Sequence, residues 1–485
     1  MRAGWASGFS RAEKWLVALF LLTLPLVNPW VRGDGVGYYA YLRSLLIDGD
    51  LRFENEWRAA NASFAISHVR PDGSIDPGHY TSVGRLNNHF SVGPAMLWAP
   101  FAVLVHGVVL ALNALGAQIP ADGYSAPYVW TMAVATAAYG FAGLWLSFRL
   151  ARRYFAERWA VLATLGLWLA SSLPVYMYLN PSWSHAHSVF AVALFLWYWH
   201  RTRGTRRLRQ WLVLGLLAGL MLNVYYLNAV FLLVPLVGSL RAWAQRLGRK
   251  PPEASAPSAV LLGNVVFGVA LLVAFLPTFI TKQIIYGSPF ESGYGEQWFW
   301  TSPALREVLF SANHGLFSWT PVLLPAWLGL LFLGRRDGEL ALCLGAASLA
   351  FYYVVASYQN WAGLASFGNR FFISLTPVFV LGLTATLEGA ARLLRGPRLA
   401  MASLGLALGL LILWNAGFIF QWATLMVPAR GPVSWRQMAH NQVAVVPGKV
   451  LHTVRAYLFS RQALQQEIEQ RDVERLRQAS KGETN

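Results

Sequence analysis

The feature that most constrains this chain is a succession of apolar runs, each long enough to fill a bilayer. They fall at residues 15–30, 127–149, 159–178, 185–200, 211–240, 259–281, 316–333, 338–356, 371–391 and 399–424. A helix needs about 20 such residues to cross the hydrocarbon core. Inside lipid the backbone must satisfy its own hydrogen bonds, which a helix does. An all-α, polytopic integral membrane protein is therefore expected. Composition agrees, since 13% of residues are charged against about 25% in soluble domains. The run 211–240 is too long for one span and is interrupted by Asn223, Tyr225, Tyr226 and Asn228. Read as two short helices, it brings the count to about eleven spans.

The net charge of +17 does not imply a nucleic-acid partner, because the basic residues sit in short clusters between apolar runs. Such clusters orient a membrane protein by facing the cytoplasm. Clusters at 149–158, 201–209, 241–250, 335–336 and 392–398 all share that side only if the apolar segment 91–116 does not cross. That segment is expected to be interfacial or re-entrant, kinked at Pro94 and Pro100. The first loop, about 31–126, then lies outside with its juxtamembrane helices, and residues 1–424 form the transmembrane domain. The tail 425–485 is also placed outside, with a solvated polar helix at about 460–479. Its nine Lys and Arg residues run against the charge rule. Residues 2–14 carry Arg2, Arg11 and Lys14, as a signal peptide would, but Asn28, Pro29 and Trp30 make a poor cleavage site, so an uncleaved first span is read. The lone Cys343 leaves no disulfide framework and no cysteine metal site.

With this layout the unusual polar residues collect on the outer face. Asp34 stands just past the first span, where a carboxylate at the membrane rim is a functional candidate. Gly33, Gly35 and Gly37 would let a ligand approach the backbone. Tyr38, Leu42, Leu45 and Leu46 fall on one face of a surface helix over 38–47, with Arg43 also on it. Asp34 could equally cap that helix. His185 and His187 follow the polar turn at 180–184; two residues apart, they do not share a helix face, so a shared metal is disfavoured. Helix-start hydrogen bonding and substrate contact both fit them. His89 lies in the first loop, and Asn313 and His314 precede Gly315, where they could simply end a surface helix. Trp361 fits an interfacial anchor. Asn369 and Arg370 stand directly before the apolar run 371–391, where a guanidinium needs an anionic partner: a carboxylate, a lipid headgroup or a substrate phosphate.

This arrangement resembles the GT-C superfamily of membrane glycosyltransferases, in the branch of protein O-mannosyltransferases and lipid A aminoarabinose transferases. The resemblance rests on Asp34 after the first span, the surface helix 38–47, the segment 88–94, the basic turn 149–158 and the polar turn 180–187. The turn of Ser366, Phe367, Gly368, Asn369 and Arg370 resembles that of bacterial members. The resemblance implies a sugar donor carried on a polyprenyl phosphate, Asp34 as catalytic base, and a bacterial inner-membrane protein with its site on the periplasmic face. The segment 88–94 lacks the family's Lys- or His-Pro-Pro motif, and no second carboxylate adjoins Asp34. Metal dependence therefore stays open, with no metal ligands assigned. The acceptor (lipid, glycan or protein) is not specified.

The chemistry fits these residues in its own right. Sugar transfer from a lipid phosphate needs a base for the acceptor hydroxyl and a cation for the departing phosphate. A partly desolvated carboxylate is a better base near neutral pH, and an arginine can hold phosphate bidentately. A transporter or lipid flippase is the rival reading. It would place charged or broken-helix sites near the membrane midplane, where these spans are almost free of charge.

Overall fold

The computed structural model describes residues 9–204, 206–247, 257–295, 297–394 and 396–482. Arg249, Lys250 and Arg395 of the basic clusters lie outside the described residues. The protein is 72% helical, with twenty α-helices and no strand among the described residues. The all-α expectation is met.

Helix α1 (Arg11–Thr23) begins with a capping box: Ser10 Oγ accepts from the Glu13 amide and the Glu13 carboxylate accepts from the Ser10 amide. Then come α2 (Asp34–Arg43), α3 (Gly93–Ala114), α4 (Ala126–Ala151), α5 (Glu157–Leu169), α6 (His185–Thr202) and α7 (Leu208–Val224). The second half holds α8 (Leu233–Leu247), α9 (Pro257–Tyr286), α10 (Leu323–Leu333), α11 (Gly338–Ser357), α12 (Thr376–Leu393) and α13 (Pro397–Ala423). The tail forms α14 (Val446–Phe459) and α15 (Arg461–Gly482). Among the described residues six helices are long and apolar enough to cross a membrane: α3, α4, α9, α11, α12 with its preceding turn, and α13. The other apolar runs are shorter or broken. The expected break in 211–240 falls at Tyr225, which is extended (φ −161°, ψ 119°) between α7 and a 3-10 turn. Such breaks are tolerated where neighbouring protein, rather than lipid, surrounds the backbone.

Small residues let the helices close on one another. A Cβ on Gly215 would stand 2.3 Å from the Phe267 carbonyl of α9, and one on Gly329 of α10 would stand 1.9 Å from the Gly382 carbonyl of α12.

Ion pairs fix which ends face which way. Glu13, fully buried at the start of α1, receives Arg149 at 2.9 Å and Arg152 at 3.0 Å from the end of α4. Asp337 takes Arg203 and the Tyr154 hydroxyl. The basic clusters at 149–158 and 201–209 therefore share one end of the bundle. Asp34 and the start of α6 lie at the other, where Ser184 Oγ donates to the Tyr38 hydroxyl at 2.9 Å.

Segment 91–116 differs in form from its expectation. Helix α3 runs unbroken through Pro100 and matches a span in length and hydropathy. It packs antiparallel along the first half of α4: Trp98 Nε1 donates to Thr136 Oγ1 (2.9 Å), the Tyr139 hydroxyl to the Leu97 carbonyl (3.0 Å), and His106 Nδ1 bonds the Tyr128 hydroxyl (2.7 Å). Both flanks of α3 return to α2. Asn88 donates to the Gly37 carbonyl, and the carbonyls of Asp122 and Gly123 accept from Arg43 and Tyr39.

Two further expectations are corrected. Helix α2 is not an amphipathic surface helix: residues 35 to 42 are all buried, because the first loop covers the face that hydropathy assigned to water. The tail helix is not a free solvated one. In α15, Asp472 pairs with Arg32 at 2.6 Å, Glu469 accepts from Asn61 Nδ2 at 2.9 Å, and Gln465 donates to Asn28 at 2.6 Å. Its mixed charge supplies partners for the first loop, which sequence spacing cannot show.

Candidate active site

The site begins at Gly33, held at φ +55°, where a Cβ would meet the Trp183 ring at 3.1 Å. That left-handed turn, which glycine adopts without strain, sets Asp34 as the first residue of α2, where the helix dipole favours a negative charge. Gly35 and Gly37 leave room for close packing: Cβ atoms there would overlap Ser182 Oγ and the Phe90 ring.

Asp34 meets Arg370 across the fold, with Nη1 at 2.6 Å from Oδ2. The guanidinium is 9% exposed and the carboxylate 29%, so the acid faces the open side of the pair. Arg370 lies 4.5 Å over the Trp183 ring. Trp183 Nε1 in turn donates to the Arg32 carbonyl at 3.0 Å. One indole thus fixes both the backbone before Asp34 and the guanidinium that meets it. The turn carrying Arg370 is pinned by the Phe367 amide on the Tyr176 hydroxyl (3.2 Å) and by Asn369 Nδ2 on the Trp361 carbonyl (3.0 Å).

Asp34 and Arg370 line a cavity of about 2640 Å³ together with Tyr38, His89 and His185. Small-molecule sites are typically about 300–1,000 Å³, so this cavity has the size for a long amphiphile. Part of its lining is apolar, including Leu227, Val230 and Val355 and, on α13, Leu413, Gly417 and Phe420. His185 sits edge-on between Tyr176 (4.8 Å) and Tyr225 (5.7 Å). His89 packs on Phe90 and Tyr294.

Of the eleven residues singled out from sequence, six do not line the cavity. His187 is fully buried against Trp98 and Tyr139, in the first turn of α6. Arg43 closes the other end of α2, paired with Asp48 and, at 2.8 Å, with buried Glu56. Burial pushes the Glu56 carboxyl up, and the Arg43 hydrogen bond opposes this. His314 holds a left-handed turn (φ 57°) and bonds the Ala362 carbonyl through Nδ1 at 2.9 Å. Its neighbour Asn313 belongs to the same turn. Asn369 and Trp361 bond one another. These are polar groups that position the loops around the site; in sequence, such residues look the same as ones that touch ligand. Sequence reading missed Trp183 and Tyr225, whose only signal was an aromatic inside a polar turn. Among the described residues no three His, Cys, Asp or Glu side chains gather as metal ligands.

Residues 128–267, from the start of α4 into α9, match the family model for dolichyl-phosphate-mannose-protein mannosyltransferase. No curated protein matches the chain. The family match supports a GT-C-like membrane glycosyltransferase, and with the apolar helices it supports an integral membrane protein. Asp34 and Arg370 both lie outside the matched residues.

Proposed function

We propose that the protein transfers a sugar from a polyprenyl-phosphate donor to a hydroxyl of an extracytoplasmic acceptor, with Asp34 as the general base. The observation that carries this is the Asp34–Arg370 pair at 2.6 Å on the wall of a lipid-sized cavity. The outward placement follows from the basic clusters gathering at the opposite end of the bundle.

Asp34 accepts the acceptor hydroxyl proton as that oxygen attacks the anomeric carbon. The bond from that carbon to the phosphate oxygen breaks, and the polyprenyl phosphate leaves with the electron pair. Arg370 stabilises the departing charge through a charge-assisted hydrogen bond. Arg370 lines the cavity while its Nη1 holds Asp34, so one guanidinium can meet both the base and a bound phosphate. A single displacement of this kind inverts the anomeric centre. The apolar walls take the prenyl chain.

The test is Asp34→Asn assayed with a polyprenyl-phosphate sugar in a neutral-detergent preparation. Loss of the base is expected to slow transfer about a hundredfold to ten-thousandfold. Removing the carboxylate also frees Arg370 for phosphate, so polyprenyl phosphate should bind at least as tightly as to wild type. Transfer at close to the wild-type rate would overturn the assignment.

A further inference from the structure

The tail's excess of positive charge on the outer side is unexplained by orientation, and the structure shows where part of it goes. Arg430, Lys449, Arg471 and Arg475 all line the cavity that holds Asp34 and Arg370. The cavity wall carries six Arg and Lys side chains against three carboxylates, Asp34, Glu467 and Asp472. Each carboxylate is already engaged: Asp34 with Arg370, Asp472 with Arg32 and Glu467 with Arg471. Arg430, Lys449 and Arg475 therefore face the cavity with no carboxylate within ion-pair distance among the described residues.

All four are exposed to the cavity or to solvent, and three of them, the arginines, are brought toward one another. Arg471 and Arg475 lie one turn apart on a single face of α15. Arg475 Nη2 donates to the Leu425 carbonyl at 2.8 Å, which brings α15 against the loop that carries Arg430 five residues later. The Arg471–Glu467 pair is half exposed on both sides, a geometry worth little in water, so Arg471 can exchange its partner. Uncompensated guanidinium groups around a cavity are suited to phosphate, whose oxygens they contact in bidentate fashion.

We infer that Arg430, Arg471 and Arg475 form a second phosphate-binding subsite in the cavity, separate from Arg370. It takes a phosphate group carried by a substrate amphiphile, either the acceptor or a donor bearing a second phosphate. This rests on reading the cavity as the substrate site, but its test measures binding and not sugar transfer.

The probes are inorganic phosphate and a polyprenyl monophosphate, titrated into the full chain in neutral detergent and followed by tryptophan fluorescence. Arg370→Gln silences the first site and should leave phosphate binding in place. Adding Arg430→Gln, Arg471→Gln and Arg475→Gln should weaken that remaining binding about tenfold or more. The corresponding lysine variants, which keep the charge, should recover part of it; equal loss in both sets would mark a structural effect and overturn the subsite. Loss of all phosphate binding in Arg370→Gln alone, or unchanged binding in the triple glutamine variant, would also overturn it. A third probe, polyprenyl diphosphate, separates the sources. A tenfold loss of its binding in the triple variant of otherwise wild-type protein, with polyprenyl monophosphate unaffected, assigns the phosphate to the donor, and unchanged binding of both assigns it to the acceptor.

Discussion

A guanidinium almost out of water and resting on an indole needs an anion, and in this structure Asp34 supplies it. Arg370→Lys keeps the charge but loses the planar fork and the stacking on Trp183. A donor assay should show a raised KM together with a lowered kcat, while thermal unfolding of the protein stays close to wild type. If only stability falls, Arg370 is a structural partner of Asp34 and nothing more. The ion pair also changes what Asp34→Asn means. Asn would cap α2 nearly as well as Asp, but it leaves Arg370 without its counter-charge, so stability alone does not separate catalysis from capping. Retained polyprenyl-phosphate binding together with lost transfer does.

At the scale of single elements, the loops that present the site are held by buried polar groups, and these carry two predictions. Arg43→Gln leaves the buried Glu56 carboxyl without its cation. Breaking such a pair costs about 3 kcal/mol. The loss should appear as a lower thermal midpoint and faster hydrogen exchange in the first loop, with activity per folded molecule retained, because Arg43 does not line the cavity. The second concerns the turn at His314. Burial pushes its imidazole from 6.5 down to about 4, with the Ala362 carbonyl opposing and Arg370 adding to the fall. The folded value lies below the unfolded one, so the neutral ring is the native form. Stability is complete above about pH 6.5 and falls as pH drops toward about 4. Thermal unfolding across that window should show the decline, and His314→Gln should flatten it.

For the molecule as a whole, the testable statement is sidedness. Ser82 is exposed in the first loop and Arg209 is exposed at the start of α7, at the basic end. In a Cys343→Ala background, Ser82→Cys should react with an impermeant thiol reagent on intact cells, and Arg209→Cys should react only after permeabilisation. Labelling of position 209 from outside would reverse the bundle and move Asp34 to the cytoplasmic face.

The sequence by itself determined the membrane class and the all-α architecture, because a backbone in lipid has few ways to satisfy its hydrogen bonds. It also located the break within 223–228 and singled out Asp34 and Arg370, since a charge beside an apolar run is costly unless it has a partner. What it could not supply was that each is the other's partner across 336 residues of chain. Nor could local periodicity show that α2 is covered on every side, that α15 docks on the first loop, or that Gly35 and Gly37 leave room for Ser182 and Phe90. His187, Arg43 and His314 read as candidates for the same reason. Polarity is written in the sequence, but whether a polar group meets a ligand or another part of the protein is decided only when distant segments pack.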